Sequence, residues 1–284
     1  MIGIIGGTGL YQMAALEVSD VRSVETPFGV PSGPIVLGSI EGRRSAFLAR
    51  HGLRHEWLPS EINYRANIWA LKSLGVRTLL SVSAVGSLRQ EIRPGDLVLP
   101  CQYLDFTKGL RAATFFGGGI VAHVSMAHPT CSATSALISR CARSLEAHGS
   151  GLHEDKTYAC VEGPRFGTRA ESFFLRQCGA DVVGMTNVPE AFLAREAQLG
   201  YCTIAVATDY DCWLEDAQHH VSADQVSKLF RDNLERVQQL LAQAIRNYTD
   251  DETRPCRRAL QGAILTAAEN LSSAQRALVS FLSA

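Results

Sequence analysis

The chain has 284 residues, enough for one large α/β domain or two smaller ones with a substantial core, and too many for a small peptide scaffold. A formal net charge of -1 with 19% charged residues supplies no long-range field toward nucleic acid or an anionic membrane, so a small-molecule partner is expected. The opening Met1-Ile2-Gly3-Ile4-Ile5 has neither a basic lead nor an apolar run of signal-peptide length, and no later stretch nears the roughly 20 apolar residues of a membrane span; a soluble, cytoplasmic protein is expected.

Short β-branched runs alternate with amphipathic helical stretches, the pattern of a layered α/β domain whose sheet is at least partly parallel. Residues 2–5 form the first predicted strand. A helix over 64–74, stopped by Gly75, precedes strands at 77–83, 96–100, 156–161 and 181–185. Pro189 introduces a helix over 190–199 stopped by Gly200, and 201–208 is the last predicted strand. Ser222 and Gln225 then fit a capping box. Val226, Phe230, Leu234, Val237, Leu241 and Ala244 keep a three-to-four spacing behind it, which predicts one long helix to about Arg246. The polar stretch 249–254 ends the main body, so a domain over 1–248 is expected with a C-terminal helical tail over 249–284. Leu260, Ile264 and Leu265 give that tail an apolar face for the domain or a neighbouring chain.

The eight cysteines form no CxxC or CxC pair and several lie in apolar runs, so buried free thiols are expected. His51 and His55 have a spacing that can hold zinc on a helix, but Gly52 lies between them and no thiol or acidic ligand completes a set; no metal site is predicted.

Chemistry-bearing residues concentrate where predicted strands end. Gly6-Gly7-Thr8-Gly9-Leu10 follows the first strand, and its glycines let backbone N–H groups approach an anion while Thr8 adds a hydroxyl. It is neither a dinucleotide fingerprint, since Gln12 stands where the third glycine belongs, nor a Walker loop; an ordinary tight turn reads equally well. In Leu48-Ala49-Arg50-His51-Gly52, the Arg50 fork matches phosphate oxygens and His51 adds a donor, although Arg-His at a strand end is also common on surfaces. Ser83 and Ala84 sit in a small-residue strand end that could face a ligand or merely turn. Glu162-Gly163-Pro164-Arg165-Phe166 and Met185-Thr186-Asn187-Val188-Pro189-Glu190 carry strands into polar loops, where α/β sheets place ligands; Glu162, Arg165 and Glu190 could equally form structural ion pairs.

Thr208-Asp209-Tyr210-Asp211-Cys212-Trp213 is the most informative piece. Two carboxylates two residues apart point to one side of an extended chain. A 6-aminopurine offers an acceptor at N7 beside an amino donor at N6, which a protonated and an ionised Asp match group for group. An acid at N7 also neutralises the charge that builds on a departing purine. A helix cap is the plain alternative; a calcium loop lacks its continuation.

As an ordered set these motifs, with Thr26-Pro27-Phe28-Gly29 and Asn63-Tyr64-Arg65-Ala66-Asn67, resemble the trimeric branch of the purine nucleoside phosphorylases, and within it the 5'-methylthioadenosine phosphorylases. The likeness runs from about Gly3 to Val226. It implies a single α/β domain with a mixed central sheet, a homotrimer, no metal or organic cofactor, and phosphate as co-substrate. The reaction implied is cleavage of 5'-methylthioadenosine to adenine and 5-methylthioribose 1-phosphate. By the resemblance Thr8, Arg50, His51, Ser83, Ala84 and Thr186 hold phosphate, Met185 lies under the ribose, Phe166 packs on the purine and Asp209 and Asp211 read its edge. Ala223 and Val226 line the pocket for the 5'-group, to which His123 comes from the neighbouring subunit. The catalytic pair is Asp209 and His51. Ser83, Gly167 and Ala223 depart from the threonine, serine and valine usual there, and one extra residue falls within 215–221, which contains His219 and His220. The rival expectations are a broader purine nucleoside phosphorylase and a nucleoside-binding protein without turnover; the latter has no need of Thr8, Arg50 and His51 together.

Overall fold

Strand β1 (Ile2–Gly6) is buried along its whole length, as an apolar run must be when helices cover both faces of its sheet. The computed structural model, which describes residues 1–7, 10, 13–145, 151–214 and 222–284, sets β1 at the centre, parallel to β4 (Arg43–Ala49) and to β5 (Thr78–Ser87). On the β4 side β3 (Ile35–Ile40) and β2 (Leu16–Arg22) add as antiparallel strands. On the other side follow β8 (Val182–Gly184), β7 (Leu152–Val161), β6 (Leu97–Phe106) and β9 (Gly200–Asp209), and β9 pairs back onto β5, closing that half of the sheet on itself. The result is a nine-stranded mixed sheet, as expected for an α/β domain.

Alternation along β1 sends Ile2 and Ile4 to one helical layer and Ile5 to the other. The first layer is α2 (Ser132–Leu145) with α6 (Leu234–Asn247); the second is α1 (Tyr64–Ser73), α4 (Asn187–Glu196) and α7 (Ser273–Ser283). Asn63 starts α1 by accepting the Ala66 N–H while its amide donates to Phe28 O, and Phe28 packs edge-on against Trp69. Those two motifs are thus spent on entering the helix. Helix α3 (Arg169–Gln177) is opened by a capping box of Thr168 and Glu171.

The long helix expected behind Ser222 is divided. Helix α5 (Ala223–Asp232) ends at Asn233, whose side-chain amide donates to Leu229 O and so competes for the carbonyls a continuing helix would use. Ser222 caps α5 by accepting the Gln225 N–H. Among the cysteines all are free, with Cys131, Cys141, Cys160, Cys202 and Cys256 buried as expected and Cys178 exposed against expectation, because it lies at the C-terminal end of α3. No helix among the described residues is long and apolar enough to cross a membrane.

Beyond residue 248, Leu260, Leu271 and Leu282 enter the same buried cluster as Ile68 and Leu193, and Phe281 stacks on Trp69 with centroids 3.8 Å apart. Leu282 is fully buried. Leu282→Ala should therefore cost about 2–5 kcal/mol of unfolding free energy in urea titration, whereas an unchanged midpoint would mean that α7 does not share the core.

Candidate active site

Parallel strands β4, β1, β5 and β9 finish along one edge, where α/β sheets open a crevice. Arg50 leaves β4 there, its N–H donating to Gly6 O at 2.9 Å. Its guanidinium is fully buried and donates to both oxygens of Glu190 (2.6 and 2.9 Å), to Ser81 Oγ (2.7 Å) and to Val82 O (3.0 Å). The guanidinium expected to hold phosphate is here directed onto Glu190, with a plain cause: a charge with no access to water requires a counter-charge and filled donors. Burial works against the charged guanidinium, but the Glu190 carboxylate outweighs it and holds the pKa above its usual value. His51 follows Arg50 at the same strand end, half-buried. Its Nδ1 donates to Trp57 O at 2.9 Å, leaving Nε2 for a ligand, and burial, helped by the Arg50 charge, pushes it down to about 4. The His51 and His55 rings stack, centroids 4.5 Å apart, rather than converging on one point.

A buried polar network extends beneath this edge. Ser81 also donates to Glu190 (2.6 Å), as does Tyr201 (2.9 Å). Asn187 donates to Ser81, Tyr201 and Thr203 and accepts from Ser83 (3.2 Å), which fixes the Ser83 hydroxyl beside Ala84. Thr186, buried at the start of α4, makes no side-chain cap bond there. The fully buried Tyr158 hydroxyl lies against it, and a Cβ at Gly184 would come within 2.0 Å of that oxygen, so only glycine fits.

At the other end of the crevice Asp209 and Asp211 are 7% and 5% exposed. They are brought together by a turn rather than by the extended chain expected: Asp211 has a φ of 51° and donates its N–H to Asp209 Oδ1 at 2.7 Å. The Asp209 carboxylate and the Asp211 Cβ border Gly86 of β5. Burial pushes the Asp209 carboxyl up to about 6 against the Thr208 hydroxyl and the Asp211 N–H, which favour its charged form. Burial raises Asp211 as well. Asp211 lines a cavity of 240 Å³ together with Phe106, Lys108, Glu162, Gly163, Gly167 and Ser172 among others, while Asp209 lies behind it. Phe166, about one-third exposed, follows the loop at its rim, and the Met185 sulfur packs against Gly163.

Sequence reasoning passed over Arg111, which holds this wall together. Its buried guanidinium donates to Glu162 Oε1 (2.8 Å) and to the carbonyls of Glu162 (2.8 Å), Met185 (2.7 Å) and Val188 (2.7 Å). The polar loop around it carries no motif. Glu162 and Glu190 therefore serve structural ion pairs, as does Arg165 with Glu171. Thr8, His219 and His220 lie outside the described residues. His123 is exposed, its backbone tied to Ala263 O. Ala223 is exposed and Val226 half-buried on the first turn of α5, a helix that buries none of its side chains in the protomer. A larger depression of 630 Å³ bordered by Met1, Arg43 and Tyr248 lies at the opposite strand ends and contains no predicted residue.

Comparison with known proteins agrees with this geometry. A family model described as the phosphorylase superfamily matches residues 1–246. The chain is 49% identical to an S-methyl-5'-thioadenosine phosphorylase of Geobacter sulfurreducens over 268 residues, covering 94% of this chain and 92% of that one. It superposes with a TM-score of 0.93 on a methylthioadenosine phosphorylase from an antarctic soil metagenomic library, 46% identical, covering 99% and 98% of the two chains. A Schistosoma mansoni adenosine/methylthioadenosine phosphorylase variant, solved in complex with adenine, is 37% identical with a TM-score of 0.84, covering 98% and 97%.

The buried pair makes the scaffold testable. Glu190→Leu strands the Arg50 charge and should cost about 3–5 kcal/mol in urea titration, with Arg50→Met in the same chain recovering most of the loss. If the double variant is as unstable as the single one, the pair is not the constraint described.

Proposed function

This chain belongs to the phosphorylase superfamily, among relatives named S-methyl-5'-thioadenosine phosphorylase, and from that premise we propose that it cleaves 5'-methylthioadenosine with inorganic phosphate, releasing adenine and 5-methylthioribose 1-phosphate. The observation that carries the reading is the pair of adjoining buried carboxyls, Asp211 lining the cavity and Asp209 beside it, pushed up by burial to about 6. Desolvation makes Asp209 a proton source near neutral pH for N7 of the leaving purine, while Asp211 accepts from the 6-amino group. No protein nucleophile is required. Phosphate attacks C1' as the base departs through an oxocarbenium-like state, and the protein contributes position and charge.

Thr8, Arg50, His51, Ser83, Ala84 and Thr186 surround the phosphate in this proposal. Arg50 contributes its backbone and a rigid strand end, since its fork is held by Glu190. Met185 lies under the ribose and Phe166 on the purine. The enzyme works without a metal or organic cofactor, as a cytoplasmic homotrimer in purine and methionine salvage, its catalytic domain over 1–248 and its helical tail over 249–284. The trimer supplies His123 to the 5'-end, next to Ala223 and Val226. Exposure of Ala223 in the protomer favours a second reading, in which that end is open enough to admit adenosine as well.

Burying a methyl-sized apolar group is worth about 1 kcal/mol, and a hydroxyl left without a partner costs about 1–3 kcal/mol. Methylthioadenosine should then exceed adenosine in kcat/KM by roughly tens- to hundredsfold, in an oligomer by solution mass; equal values would select the second reading. Asp209→Asn should lower kcat/KM for methylthioadenosine more than for methylthioinosine, and an unchanged ratio would remove Asp209 from the purine edge.

A further inference from the structure

Asp211 cannot be held as an acceptor by backbone alone. Its left-handed backbone, unusual outside glycine, stores strain that neighbouring contacts must hold in place. The contact made by Asp209 is to the Asp211 N–H and leaves its carboxylate unassigned. The charged groups around that carboxylate are hostile to its ionised form: Asp209 lies beside it and Glu171 of α3 faces it, although Glu171 is itself gripped by Arg165 at 2.7 and 2.8 Å. Cys212 adds a neutral thiol.

On the same helix, one residue beyond Glu171, Ser172 is fully buried and lines the cavity with Asp211. Its hydroxyl closes no regular hydrogen bond among the described residues, an uncommon state for a buried polar atom. Two groups neighbour it, the Asp211 carboxylate, which lines the same cavity, and the Cys212 thiol, and the hydroxyl favours the charged form of each. The Thr168–Glu171 capping box fixes the helix turn that carries it. We propose that Ser172 is a positioning residue for base selection, donating to the Asp211 carboxylate and keeping it ionised and aimed as the acceptor for the exocyclic amino group of a 6-aminopurine. This rests on the assignment of Asp211 to the purine edge. Without the hydroxyl, Asp211 takes up a proton more readily, and a protonated carboxyl can no longer accept from an amino group but can donate to a 6-oxo group.

The test is a double-mutant cycle read as the kcat/KM ratio of methylthioadenosine to methylthioinosine in wild type, Ser172→Ala, Asp211→Asn and both together. Alanine suits a helix interior, and the 6-oxo substrate reports on folding in the same preparation. Ser172→Ala should lower the ratio about tenfold, mainly through KM for the amino substrate, the worth of one hydrogen bond to a charged group. The loss should deepen as pH falls, because the raised Asp211 carboxyl protonates more readily without the hydroxyl, and be absent on the Asp211→Asn background. An unchanged ratio, an equal fall for both substrates, or a full further loss on that background would overturn the role of Ser172 while leaving the base assignment standing. If Asp211→Asn itself leaves the ratio unchanged, the assignment of Asp211 falls and this inference with it.

Discussion

The ion pair of Arg50 with Glu190 is the constraint on which the active edge of this fold depends. It joins the end of β4 to α4, and through Ser81 and Val82 it includes β5. A buried guanidinium depends on such partners, and a further contact with Ile5 O reaches β1, so these elements can shift relative to one another only by breaking charge-assisted bonds in a low-dielectric interior. What the pair contributes is position more than stability, since a buried ion pair gains little over a well-packed apolar one of equal volume. His51 projects from the strand end so fixed, and Asn187 and Ser83 are set by the same network.

A second buried arginine has the same part at the opposite wall. Arg111 gathers the carbonyls of Glu162, Met185 and Val188, so the segment bearing Met185 and the loop bearing Phe166 share one clamp. Between the two clamps the carboxyls of Asp209 and Asp211 are left in a dry environment where their charge is disfavoured. The fold thus holds two adjoining carboxyls whose ionisation burial disfavours, a common property of functional sites.

Much of this was legible in the sequence, and the failures have physical causes. Strand β1 and the runs at β5 and β9 were readable because apolar β-branched segments between glycine turns have few other fates. Strand β2 was missed because one edge strand buried on neither face shows no clean alternation. The split at Asn233 escaped notice because the apolar spacing continues across it and only the side-chain amide breaks the helix. In the site, residue types were readable and their directions were not. Arg50 was visible as a cation at a strand end, but Glu190, which turns it inward, is 140 residues away. Arg111 and Ser172 belong to no motif of their own, and their roles exist only through contacts made at long range or across a helix turn.

The central claim is that the anion pocket and the paired carboxyls act on one substrate together, so that phosphate, not water, receives the ribosyl group. The most direct measurement incubates the purified chain with methylthioadenosine and inorganic phosphate and follows the products by phosphorus NMR alongside adenine release. A sugar 1-phosphate ester should appear mole for mole with adenine, and adenine release should stop when phosphate is omitted. Adenine accompanied by free methylthioribose, at a rate indifferent to phosphate, would contradict the account.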